Sequence, residues 1–109
     1  MGRPAPCWGP VMIVVGILEV RREARADFTA FERAAARIMQ RHGGAIERTV
    51  AVHGAPDAPT YTEIHFVTFP DEAHFAAYRS DPELRGLEDQ RQRAVASTRV
   101  FIGENGPSY

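Results

Sequence analysis

Stretches with strand periodicity alternate along the chain with stretches of helical periodicity. Residues 11–20, VMIVVGILEV, are apolar on both alternating sets: Met12, Val14 and Leu18 on one side, Ile13, Val15 and Ile17 on the other. A strand of that kind is buried on both faces. Gly16 in its middle marks a bulge or a close approach to the backbone. From Asp27 the period lengthens. Phe28, Phe31, Ala35, Ile38 and His42 form one helical stripe, with Glu32, Arg33, Arg37 and Arg41 mostly off it. Asp27 is the expected N-cap, its carboxylate accepting from the first free amides. Gly43 and Gly44 end the helix, one of them in the left-handed conformation. AIERTVAVH (45–53) and TYTEIHFVTF (60–69) read as strands joined by a turn-rich stretch, GAPDAP. Pro70 and Asp71 open a second helix, DEAHFAAYR. Ser80 or Asp81 caps a further helical segment that starts at Pro82 and runs to about residue 95. STRVFIGE (97–104) is the last strand, and residues 105–109 are a tail.

The order is βαββαβ. Right-handed crossovers lead such a chain to an α+β fold, a four-stranded antiparallel sheet with its helices on one face. The other face of the sheet is then left bare, although the first strand is apolar on both sides. A homodimer, sheet against sheet, covers it, because a chain of 109 residues has room for only one small core.

Composition narrows the function. Hydrophobic residues make up 44% and charged residues 25%, and the formal net charge is −1, so nothing electrostatic favours nucleic acid or an anionic membrane. No apolar run approaches the roughly 20 residues of a membrane helix. Cys7 has no second cysteine to pair with, which fits a reducing, cytoplasmic compartment. Residues 1–10, MGRPAPCWGP, lack a secretory apolar stretch and read as a flexible tail dispensable to a domain spanning 11–104, with Met12 as an alternative start.

The third strand carries the candidate chemistry. Alternation puts Tyr61, Glu63, His65, Val67 and Phe69 on one face and Thr62, Ile64, Phe66 and Thr68 on the other. A carboxylate beside an imidazole orients it and supports it as a general base. If residue 53 pairs with residue 61, His53 joins that face. The same residues also suit two plainer roles: a wet dimer surface, or cross-strand pairing alone. His53, Glu63 and His65 form a two-histidine, one-carboxylate set, but their spacing is not specific to a metal, and no metal is expected. His74 reads as a solvated helix residue and His42 as a cap at the negative end of the first helix. Tyr78 belongs to the core stripe of the second helix, and its hydroxyl needs a partner if buried.

With HGG after the first helix, FVTFPDEAHFAAYRSDPEL and the closing RQRAVASTRVFIGE, the stretch 12–104 resembles the dimeric α/β-barrel superfamily of ferredoxin-like proteins. It is similar to that superfamily's small single-domain proteins of uncharacterised function and to the antibiotic biosynthesis monooxygenases. The resemblance implies a ligand site between sheet and helices. It also implies a choice of activities: cofactor-independent oxygenation, polyketide cyclisation, isomerisation, haem degradation or a stress response. The segment 82–95 has no histidine where the haem-degrading relatives carry a ligand, which disfavours haem. The expected function is a small cofactor-independent enzyme of monooxygenase, cyclase or isomerase type acting on an aromatic or polyketide-like molecule. His65 is its base and Glu63 the orienting partner, while Tyr61, Tyr78 and His53 line the ligand. The alternative is a non-catalytic dimeric binding or accessory protein.

Overall fold

The computed structural model describes residues 11–109; the expected tail of residues 1–10, with Cys7 and Trp8, lies outside the described residues. Strand β1 (Met12–Arg21) leads through a single 3₁₀ turn into helix α1 (Arg25–Arg41). Strands β2 (Ala45–Ala51) and β3 (Thr60–Phe69) follow, then α2 (Glu72–Arg79), α3 (Pro82–Arg85), α4 (Glu88–Ala94) and β4 (Val95–Gly103). The four strands form one antiparallel sheet in the order β2-β3-β1-β4. This is the α+β, ferredoxin-like arrangement expected from the hydrophobic pattern. Among the described residues no helix is long and apolar enough to cross a membrane.

The expected stripe of α1 is buried: Phe28, Phe31, Ala35 and Ile38, with Met39 added. It packs on the sheet face carrying Val14, Leu18 and Val20 of β1 and His65, Val67 and Phe69 of β3. Each fully buried Phe, Leu or Val contributes about 1.5–3 kcal/mol relative to an exposed one. The apolar core divides into two clusters. One gathers Leu18, Val20, Phe28, Ala94 and Val95; the other gathers Val14, Met39, Val67 and Phe69. Between them Gly16 pairs with His65 and presents no side chain. No bulge falls at Gly16, and a Cβ there would make only ordinary contacts of 3.7 and 4.0 Å. Its effect is to leave room rather than to bend the strand, which corrects the sequence reading.

Helix α1 ends as a Schellman motif. Gly43 takes φ +75°, its N–H donates to Gln40 O, and the Gly44 N–H donates to Met39 O. Gly44 is fixed by space: a Cβ would come within 2.5 Å of both Met39 and Phe69.

Four local expectations are corrected. Helix α1 starts at Arg25, so Asp27 lies inside its first turn, where a carboxylate still faces the positive end of the helix dipole, and no side chain caps the helix. The single helix expected over 82–95 is two, divided at Gly86 and Leu87. Both residues close tight turns onto Pro82 O and Leu84 O, and α4 then restarts at Glu88. The last strand begins at Val95, directly after α4. Strand β2 is bulged between Ile46 and Arg48 and ends at Ala51; one more bond, Val52 N–H to Thr62 O, closes the ladder. The loop beyond it is held by Arg22, whose side chain donates to Ala58 O (2.7 Å) and Ala55 O (3.2 Å).

Capping follows the sequence elsewhere. Asp71 Oδ1 accepts from the His74 N–H at 2.9 Å and Asp81 Oδ1 from the Glu83 N–H at 2.9 Å. His74 is exposed, and its ring Nδ1 lies 2.7 Å from Asp71. His42 is the C-cap residue of α1, and its Nε2 meets Asp81 Oδ2 at 2.8 Å. That bond, then the Glu83 amide, holds the Asp81 carboxyl below the usual carboxylate range.

Candidate active site

Where the two core clusters part, a cavity of about 320 Å³ opens between α1 and the β2–β3 hairpin. Its floor and one wall come from β3 through Tyr61, Glu63 and His65, the three polar residues that alternation places on one face. Helix α1 supplies Phe28, Glu32, Thr29, Arg25 and Arg33, and β2 supplies Ile46 and Thr49. His65 is 6% exposed, and the Phe28 ring lies 6.3 Å from its own, centroid to centroid.

Both imidazole nitrogens face carboxylates. The Nε2–H donates to Glu63 Oε1 at 2.8 Å, and Nδ1 lies 3.6 Å from Glu32 Oε2. The first is a full hydrogen bond and the second is longer than one. In the neutral imidazole, with the Nε2–H bonded to Glu63, Nδ1 carries the lone pair and is the atom able to receive a proton. The network continues outward: Tyr61 O–H points at the second oxygen of Glu63, 3.5 Å away. Burial, then the Glu63 charge, pushes the Tyr61 phenol above its ordinary value, and the Arg22 and Arg25 guanidinium groups each lie 5.5 Å from its ring centroid.

Glu32 is the residue that the sequence pattern missed. Read as mostly off the buried stripe, it lies four residues after Phe28 and three before Ala35, on the margin of the buried face. Burial raises its pKa from 4.5, and the Glu63 charge adds to the rise, while His65 and Arg91 oppose it. A carboxyl with a raised folded pKa contributes stability that is present below its unfolded value and lost as pH climbs through the folded one. Above the raised folded value the ionised Glu32 therefore works against folding. Glu32→Gln is expected to raise the melting temperature by a few degrees near pH 8 and to leave it unchanged near pH 4, read by calorimetry. Equal melting shifts at both pH values would contradict the raised value.

Two other residues expected at the ligand stand elsewhere. His53 is exposed in the loop after β2, outside the cavity, so it completes neither a pocket nor a metal set with Glu63 and His65. The cause is the early end of the ladder at Ala51. Tyr78 belongs to a second, larger hollow of about 730 Å³, over Val14, Val67, Phe69 and Phe75, rimmed by Arg79, Arg85, Glu88 and Arg91. Its ring packs 5.4 Å from that of Phe69, and burial, with the Glu32 charge next, pushes its phenol up to about 12.

No protein-family model matches the chain, and no curated protein matches it. Solved structures do. A protein of unknown function from Rhodopseudomonas palustris superposes with a TM-score of 0.74 at 16% identity, over 90% of this chain and 84% of the other. A protein from Nitrosomonas europaea, provisionally designated an antibiotic biosynthesis monooxygenase, gives 0.66 at 14% identity over 87% and 89%. SnoaB, a cofactor-independent oxygenase from Streptomyces nogalater, gives 0.62 at 14% identity over 90% and 94%. At these identities the likeness is one of fold: the chain has the ferredoxin-like α+β fold of these small proteins, antibiotic biosynthesis monooxygenase-like structures among them.

Proposed function

We propose that this protein is a small cofactor-independent enzyme that removes a proton from an aromatic or polyketide-like molecule bound over His65. One observation carries the reading: a buried imidazole, clamped at Nε2 by Glu63 and with Nδ1 3.6 Å from Glu32 and outside hydrogen-bond distance of it, lies at the floor of a cavity walled by Phe28 and Tyr61. In the step, a C–H or phenolic O–H bond of the ligand breaks, its electron pair passes to the ligand's carbonyl or phenolate oxygen, and the proton goes to Nδ1. The imidazolium formed is stabilised by Glu63 and Glu32 on either side. The resulting enolate or phenolate is the common intermediate for reaction with dioxygen, for ring closure onto a second carbonyl, or for reprotonation elsewhere. The fold shared with a cofactor-independent oxygenase supports the oxygenase branch.

The step is tested by washout of deuterium from the activated carbon of 2-tetralone, without added cofactor and with a chelator present. Acceleration over buffer that depends on His65 is the expected result; a buffer rate in the wild type would contradict the reading.

A second reading, ligand binding without catalysis, is favoured by the larger hollow, whose floor is apolar and whose phenol, Tyr78, stays protonated at any working pH. In either reading the working unit is a homodimer formed through the helix-free face of the sheet. Alternation places Val15, Ile17, Ile64 and Phe66 on that face, and Phe101, 51% exposed, beside Val15.

A further inference from the structure

We infer that the ligand of the His65 cavity is an anion, an aromatic molecule with a carboxylate or similar charged group at the end away from its reacting position. The inference rests on the proton-abstraction reading for which end meets His65, and its test reads binding alone.

Charge is unevenly distributed in the cavity. Its floor carries two carboxylates, Glu32 and Glu63, both bonded to or facing His65. Its mouth is lined by one edge of α1, where Arg25, Thr29 and Arg33 follow at intervals of four residues and so form one row. Arg25 and Arg33 are exposed, and among the described residues neither guanidinium pairs with a carboxylate. The same edge could have carried any polar side chains; it carries two cations over a floor of two anions. A wholly neutral ligand uses neither. An anionic group at the floor would face Glu32 and Glu63 and be repelled. A ligand with its anion between Arg25 and Arg33 and its phenol or activated C–H at His65 satisfies both ends, because guanidinium groups bind carboxylates through charge-assisted hydrogen bonds. Arg25 already lies over the Tyr61 ring, 5.5 Å from its centroid, a contact that favours keeping its head at the mouth.

Three probes of one shape separate the possibilities: 6-hydroxy-2-naphthoate, its methyl ester and 2-naphthol, titrated by calorimetry into the wild type, the Arg25→Gln/Arg33→Gln double variant and His65→Ala. The acid is expected to bind the wild type about tenfold more tightly than the ester or the naphthol, the size of one charge-assisted contact at a partly exposed site. In the double variant that preference is expected to vanish, and high salt should narrow it in the wild type. Both arginines are exposed, and circular dichroism with an unchanged melting temperature confirms that the double variant is folded. Equal binding of acid and ester by the wild type, or a preference that survives in the folded double variant, would overturn the inference. If acid and ester bind alike and His65→Ala weakens both, the anion is wrong and the base stands. If the wild type prefers the acid, the double variant loses that preference and His65→Ala changes no affinity, the anion stands, and the washout of the His65 variants alone decides the base. Binding by none of the three would overturn both.

Discussion

Replacing His65 with alanine is expected to slow deuterium washout by about 100- to 10,000-fold, the usual contribution of a positioned general base. The size follows from the absence of a substitute. Glu63 is committed to Nε2, and Glu32 stands 3.6 Å from Nδ1 with its pKa raised by burial. Neither carboxylate matches the free imidazole nitrogen in position. Glu63→Gln should cost less, because an amide oxygen still accepts the Nε2–H bond while losing only the charge that favours the imidazolium. His65→Ala also leaves Glu32 and Glu63 facing one another with nothing between them, so its melting temperature should fall at neutral pH and recover in acid, as Glu32, its pKa raised by burial, takes up a proton. His65→Gln retains a donor for Glu63 without a base. It should restore the stability and not the washout. A His65→Gln protein that keeps wild-type washout would remove His65 from the mechanism.

The second large effect is on assembly. Light scattering is expected to give twice the mass of the chain for the wild type and a single chain, or aggregate, for Val15→Asp. The molecule is a slab 18 Å through its thinnest direction, one sheet and one layer of helices. Val15 stands at the centre of the bare side, between Phe66 of β3 and Phe101 of β4. Pressing this face against a second copy would bury a carboxylate at that position, where both direct cross-strand partners are phenylalanines and the nearest cation on the adjoining strands, Arg99, is one pair further along β4; an unpaired buried carboxylate costs several kcal/mol. Ile17 is a poorer choice, because Arg99 lies beside it and would pair with the new charge. A wild type that is monomeric at micromolar concentration would end the dimer proposal.

The sheet and its helix-facing side were legible in the sequence because period and burial agree there. Tyr61, Glu63 and His65 alternate with Ile64 and Phe66, and nothing interrupts β3. In β2 the bulge beside Glu47 left no mark in the pattern, since Glu47 is held by a long-range partner, accepting from the Thr68 hydroxyl at 2.8 Å. The register beyond the bulge runs toward the pairing of residue 53 with residue 61, but the ladder stops at Val52, so His53 falls in the loop instead of on the strand. Glu32 was hidden for a different reason: a charged residue one step off an apolar stripe usually lies in water, and only the cavity over His65 draws it inward. Tyr78 reads as a member of the core stripe of the second helix, but a helical stripe does not say over which of two neighbouring hollows its hydroxyl end lies. Function was the least legible, because much of the motif that recommends the fold, from Pro70 to Pro82, is cap and turn chemistry.

The most direct measurement is the structure of the protein with 6-hydroxy-2-naphthoate bound. The central claim is that ligand chemistry takes place at His65. It requires the phenolic oxygen to lie about 2.6–3.2 Å from Nδ1, in the cavity between α1 and β3, with the Glu63 bond to Nε2 intact. A ligand seated in the larger hollow against Tyr78 and Phe69, with the cavity over His65 vacant, would contradict it.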